Sequence, residues 1–291
     1  MRPIFPGGST SAKLSPRGSL KASRAVCDAT ASPRSPSACT CAARSRSCSQ
    51  KLLAEVGRFR VVTVSDLCDT VYGGDARALQ SDLRFLREKG FIAVDQVNAR
   101  RDGRSSRGEH IDVVTLTKEG KHLAYATGEL HPEQKLYHGL VKPREVEHDT
   151  EIYRAYLKEW QRIEQDHGGS NPRVKLDFEL KSEIQRAIYA ERQAHPEREL
   201  QEIRREVAEQ FNLPLVEGRI EFPDARIDYD LDQGGQTGSS DIEVATAAYR
   251  PAHLQGKVQA GFHVYMSSRD RGRLGSVLQE DTRAMERILD L

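Results

Sequence analysis

Long apolar runs are missing from this 291-residue chain. Nowhere do the roughly 18 or more consecutive apolar residues of a membrane helix occur, which excludes an integral helical membrane protein. No basic n-region followed by an apolar h-region opens the chain, so the expected location is cytoplasmic. Cysteine is scarce: of five, Cys27, Cys39, Cys41 and Cys48 crowd into one segment without Cys-x-x-Cys pairing or a neighbouring His. That argues against a disulfide scaffold and against a zinc site alike. The nine His residues form no His-Glu-x-x-His ladder, and no serine stands in a nucleophile-elbow context. Gly234-Gly235-Gln236-Thr237-Gly238 lacks the Gly-Lys-Ser/Thr ending of a phosphate loop and reads as a hairpin turn.

An excess of one charge is also missing overall, since 44 basic and 43 acidic residues leave a net charge of +1. The distribution is uneven. Residues 1–127 carry 21 basic and 12 acidic residues, and residues 128–291 carry 23 basic and 31 acidic. A basic front and an acidic rear predict two modules with different tasks. Residues 1–49, rich in Ser, Ala, Pro, Arg and Gly with eight basic residues and one acid, read as a disordered basic tail.

Residues 50–127 have the order helix, helix, turn, helix, hairpin, helix. Leu52, Leu53 and Val56 mark a first helix through Arg58, followed by a β-prone run at Val61–Val64. Ser65 is a candidate cap for a helix Asp66–Tyr72, and Gly73-Gly74 supply a turn. Asp75 then caps a helix reaching Lys89, with Leu79, Leu83 and Leu86 on one face and Arg77, Gln80, Ser81, Arg84 and Arg87 on the other; Gly90 ends it. Strands at 91–94 and 111–116 flank a polar tip that bears Arg100, Arg101, Arg104 and Arg107, and Thr117 caps a last helix. This is the order of a winged helix-turn-helix, and the ending LTKEGKHLA resembles many bacterial members of that fold. A helix with Arg, Gln and Ser on its free face suits the major groove of double-stranded DNA. An arginine-rich hairpin suits phosphates.

Residues 128–142 read as a linker, punctuated by Gly128, Pro132 and Gly139. Pro143 opens a helix 144–165 with a stripe of Ile152, Tyr153, Tyr156, Leu157, Trp160 and Ile163, and Glu145, His148 and Asp149 fall at its mouth. Alternation predicts a strand 173–180, and a charged helical insertion covers 182–211 with a break at His195-Pro196. Strands at 219–222, 225–231, 241–247 and 262–266, with helices at 251–260 and 276–289, complete a mixed α/β domain over 143–291. The expected class is α+β, with the winged helix followed by this domain. Within the domain, Asp224 of Pro223-Asp224 and Glu243 on the next strand could share a divalent cation such as Mg²⁺, with Glu145 or Asp149 completing the set and a lysine stabilising developing charge.

The order of helix, strand, Pro-Asp, hairpin and Glu resembles the PD-(D/E)xK nuclease-like superfamily. More narrowly, residues 50–291 resemble the bacterial replication-relaxation family, through EHD at 147–149, PDARID at 223–228, DIEVA at 241–245, and Lys257 ahead of Tyr265. The resemblance implies a role in plasmid or mobile-element replication and mobilisation, beside a relaxase or replication initiator. The motif lysine two positions after Glu243 is replaced by Ala245, and Lys257 on the following helix is the substitute. Three functions are therefore carried forward: a DNA binder of this type, a Mg²⁺-dependent nuclease using Asp224, Glu243 and Lys257, and a transcription regulator whose rear domain senses a ligand or forms a homodimer through the charged arm.

Overall fold

The computed structural model describes residues 38–99, 109–140, 145–231, 234–246, 249–267 and 288–291. It is a mixed α+β structure, and residues 39–291 form one compact unit.

The chain opens on α1 (Ala38–Phe59), so residues 38–49 are helical rather than part of an unstructured tail. The apolar positions Leu52, Leu53, Val56 and Phe59, all buried, anchor that helix in the core, and its earlier turns extend from this anchor. After β1 (Val61–Thr63), α2 (Val64–Thr70) begins one residue before the expected cap: Thr63, in extended conformation, accepts from the Asp66 amide at 2.9 Å, the task expected of Ser65. Gly73 and Gly74 turn the chain at φ +59° and +86°, conformations that glycine adopts without penalty. Asp75 then caps α3 (Ala76–Glu88) by accepting from the Ala78 amide at 3.0 Å. The antiparallel pair β2 (Ile92–Ala99) and β3 (Glu109–Leu116) runs in register from Ile92 opposite Leu116 to Ala99 opposite Glu109. With β1 it makes a three-stranded sheet of order β1-β3-β2. Thr117 caps α4 (Lys118–Ala126), accepting from the Gly120 amide at 3.0 Å.

Residues 128–140 of the expected linker are tied into the structure. Leu136 lies in the core, and the buried Gln134 clamps Val174 from both sides, its Oε1 accepting from the Val174 amide at 2.7 Å and its Nε2 donating to the Val174 carbonyl at 2.9 Å. Its polar composition conceals these two inward contacts.

Next comes α5 (Val146–His167), closed by Gly168 at φ +62°. It is the spine of the molecule. Arg58 donates to the Tyr156 hydroxyl at 2.6 Å, Arg154 holds Asp66 with 3.0 and 3.1 Å bonds, and the Phe59 ring packs edge-on against Tyr153. On its other side α5 lies against a five-stranded sheet of order β10-β9-β8-β7-β4, made of β4 (Ser170–Leu176), β7 (Ala225–Leu231), β8 (Gln236–Val244), β9 (His263–Met266) and β10 (Ile288–Asp290). β4, β7 and β8 are antiparallel neighbours, whereas β9 and β10 run parallel to β8 and β9 respectively. One apolar core runs from Leu52 through Tyr153 to Ile242 and Tyr265, so the basic front and acidic rear share their interior.

Three expected elements differ. The strand 173–180 stops at Leu176, and α6 (Asp177–Ala194) starts there, because Leu176, Leu180 and Ile184 are spaced for one buried helical face as well as for a strand. The acids Asp177 and Glu179 in its first turn complement the helix dipole. The return strand starts at Gln236, not Asp241, since Leu231 pairs with Gln236 and shortens the hairpin. Ile288 and Leu289 belong to β10 rather than to a terminal helix; the rest of that expected helix lies outside the described residues. The charged insertion is an antiparallel pair of α6 and α7 (Leu200–Gln210) around Ile184, Ile203 and Val207, broken at His195-Pro196 as the proline requires. A small β-hairpin, β5 (Leu215–Val216) with β6 (Arg219–Ile220), returns to β7, and α8 (Pro251–Gln259) joins β8 to β9.

Candidate functional site

Two surfaces carry the residues singled out from the sequence. The first is the outer face of α3. Leu79, Leu83 and Leu86 face the core, while Arg77, Gln80, Ser81, Arg84 and Arg87 are all exposed. Asp82 is buried and accepts from the hydroxyls of Ser49 and Tyr72, each at 2.8 Å, so it points inward. Phe85, 53% exposed, also stands on the open side, with the Lys89 ammonium 5.9 Å from its ring centre. Arg100, Arg101, Arg104 and Arg107 lie outside the described residues.

The second surface is a cleft of about 910 Å³ where the two halves meet. The end of α1 contributes Phe59 and Arg60, and α4 contributes Lys121. Glu145, His148 and Asp149 enter from the start of α5, Asp177, Phe178 and Lys181 from α6, Asp224 from the entrance to β7, and Tyr249 from the segment after β8. Topology explains this gathering. Asp224 and Glu243 sit on antiparallel neighbours, with Ala225 opposite Ile242, so a hairpin separating them by 19 positions brings them to the same end of the sheet.

Their bonding is specific. Asp224 accepts from the Val244 amide at 2.8 Å through Oδ2 and contacts His148 Nε2 at 3.3 Å through Oδ1. Glu243 is 1% exposed; its Oε1 accepts from the Tyr249 hydroxyl at 2.6 Å and lies 3.3 Å from Lys257 Nζ, and its Oε2 has no hydrogen-bond partner among the described residues. Lys257, buried on α8, also donates to the Phe222 carbonyl at 2.6 Å and pairs with Glu221 at 3.4 Å. Lys257 thus reaches Glu243 from a helix.

Burial pushes the Glu243 carboxyl up, reinforced by the charge of Asp224 and opposed by Lys257 and Tyr249. Burial also pushes Asp149 up, to about 6, against the pull of Arg60 and His148. For His148, burial disfavours the charge, but the bond to Asp224 and the nearby carboxylates outweigh it and raise the imidazole to about 9. The site therefore holds a protonated His148 at neutral pH.

Comparison with protein-family models, curated proteins and solved structures finds no match to this chain.

The donors do not fit a divalent cation in this arrangement. Among the described residues no group of three or more His, Cys, Asp or Glu side chains could hold a metal. Asp224 has both oxygens engaged, and Glu243 offers only the buried Oε2. Glu145 and Asp149 line the cleft beside Asp224.

Sequence reasoning missed three residues in the cleft: Arg60 and Tyr249 stand in no motif, and Lys121, inside LTKEGKHLA, was not singled out. It also missed a buried polar cluster further along α5, on the face that meets the sheet. There Glu159, fully buried, accepts from Ser240 at 2.5 Å, Tyr265 at 2.7 Å and Arg162 at 2.5 and 3.2 Å, with His263 Nδ1 3.0 Å away. Burial alone would raise its carboxyl, but these partners hold it well below the usual range. A glutamate at a position between Tyr156 and Ile163, on the apolar stripe, was the available signal. Among the described residues no helix is long and apolar enough to cross a membrane.

Proposed function

We propose that the chain is a double-stranded-DNA-binding protein of the replication-relaxation type. On this reading residues 50–127 are a winged helix-turn-helix that presents α3 to the major groove, and the rear half is a nuclease-like domain. The protein would act in plasmid or mobile-element replication or mobilisation, beside a relaxase or replication initiator. The observation that carries the reading is the outer face of α3: five exposed Arg, Gln and Ser side chains on one side of a capped helix, with the helix's own Asp82 turned into the core. Arginine pairs bidentately with guanine and glutamine with adenine, and the backbone term comes from the same guanidinium charges. A duplex retardation assay tests it. Wild-type protein is expected to shift duplex DNA at low salt, and the double variant Arg84→Ala, Arg87→Ala to lose most of that shift; equal shifts for the two proteins would reject the assignment.

The convergence of Asp224, Glu243, Lys257 and Tyr249 at one end of the sheet favours a second reading, a DNA nuclease. A Mg²⁺-dependent form of it requires Asp224 to leave the Val244 amide and His148. Supercoiled plasmid incubated with Mg²⁺ decides: nicking by wild type that disappears in Asp224→Asn supports the enzyme, and no nicking by wild type removes it.

A further inference from the structure

The cleft contains a feature that the duplex-binding face does not use. Arg60 sits at φ +70°, a left-handed conformation that an arginine rarely adopts, between the buried residues Phe59 and Val61. Those two anchors hold the backbone in place, and an outlier so enforced at a cleft wall points to function. The guanidinium of Arg60 lies 5.0 Å from the centre of the Phe178 ring, and Phe178 is itself braced edge-on by Tyr137 at 4.9 Å. An arginine held beside an aromatic ring keeps its donors for another partner, and its planar fork suits bidentate contact with a phosphate.

The cleft lining carries both signs of charge: Arg60, Lys121, His148 and Lys181 beside Glu145, Asp149, Asp177 and Asp224. Lys181 is paired with Asp177 at 2.8 Å, and Asp224 is engaged by His148 and the Val244 amide. Among the described residues neither Arg60 nor Lys121 makes a salt bridge, although Arg60 is near enough to Asp149 to pull on its carboxyl. Both come from the front half of the chain, and they line the wall facing α5 and α6. A cavity of about 910 Å³ is at the upper end of the usual range for small-ligand pockets, roughly 300–1,000 Å³. It has room for a few nucleotides of one strand and none for a duplex.

Resting on the DNA-binding reading above, we propose that this cleft seats a segment of single-stranded DNA, with Arg60 and Lys121 gripping its phosphates beside the Phe178 and Tyr137 rings. Basic side chains tracking a backbone next to aromatic surfaces are the general means of holding a single strand. The proposal gives the molecule two nucleic-acid surfaces: α3 for the duplex and the cleft for a strand separated from it.

The test is fluorescence anisotropy of a short labelled single-stranded oligonucleotide, and separately of a duplex, titrated with the full chain in EDTA at several salt concentrations. Two variants are used. Arg60→Gly suits the left-handed backbone, so its fold is retained, and Lys121→Gln changes a side chain on the cleft wall. Each is expected to lower single-strand affinity several-fold and to reduce the slope of log K against log salt by about 0.7, the loss of one phosphate contact. Duplex affinity through α3 is expected to be unchanged. Arg60→Lys, which keeps the charge but not the fork, should restore part of the loss. Wild type that binds duplex but no single strand, or variants with unaltered single-strand affinity and slope, overturns the proposal while leaving duplex recognition intact. Wild type that binds neither nucleic acid overturns both.

Discussion

A Cβ added at Gly120 would stand 1.8 Å from the Phe91 carbonyl oxygen and 2.8 Å from its carbon. The atoms in the way are backbone, fixed by the Thr117 amide bonding that same carbonyl at 3.0 Å. The glycine in LTKEGKHLA is therefore a close-approach residue where α4 crosses the start of β2. Gly120→Ala is expected to destabilise by about 1–2 kcal/mol net: overpacking costs about 2–3 kcal/mol, and the better helix propensity of alanine recovers up to about 1 kcal/mol. The urea midpoint checks this, and an unchanged midpoint would mean that α4 and β2 can separate without cost. At this scale the sequence was a partial guide. Pro223-Asp224, Glu243 and Lys257 could be chosen by residue type and order, because few residue types do such chemistry. Arg60 and Tyr249 could not, because their significance lies in a backbone angle and in neighbours remote in the chain.

The elements were legible where a local signal and a tertiary one agree. In α3, the cap at Asp75, the leucine stripe and Gly90 at φ +73° all specify the same boundaries. Asp75→Ala removes the acceptor for the Ala78 amide and is expected to cost about 1 kcal/mol. Because this cap fixes the start of the proposed recognition helix, thermal melting and duplex affinity should fall together; a loss of stability with unchanged affinity would show that the first turn of α3 does not set its binding geometry. Where local signals conflicted, the reading failed. Val174, Leu176, Phe178 and Leu180 alternate like a strand, yet Leu176, Leu180 and Ile184 also mark a helix face. The fold makes the choice at Asp177, whose amide gives the last bond to β7, to the Asp224 carbonyl at 2.9 Å, and where the chain turns into α6. That turn is what carries Phe178 to the cleft wall.

For the whole molecule, composition suggested two modules on a linker, but the interior is continuous across α5. Charge asymmetry is a property of the surface and gave no view of the shared core. The same continuity ties the cleft to global stability. The His148 pKa is raised from its ordinary 6.5 to about 9, so the native state binds a proton that the unfolded chain has released in this interval. The stabilisation is complete below pH 6.5 and is lost as pH rises through about 9. Since a third of the ring is open to solvent, with 33% exposure, the discounted effect is on the order of 1–2 kcal/mol. Denaturant melts at a series of pH values should show this decline in wild type and a flatter profile in His148→Asn. Parallel profiles would mean that the bond between α5 and Asp224 does not contribute to stability.

The central claim, that the outer face of α3 is a DNA surface, is tested most directly by the salt dependence of duplex affinity. Each phosphate neutralised contributes about 0.9 to the slope of log K against log salt. The account predicts that Arg84→Gln and Arg87→Gln, combined, weaken duplex binding and lower the slope by about one to two units. A wild-type protein without affinity for duplex at low salt, or a variant whose slope equals that of wild type, would contradict it.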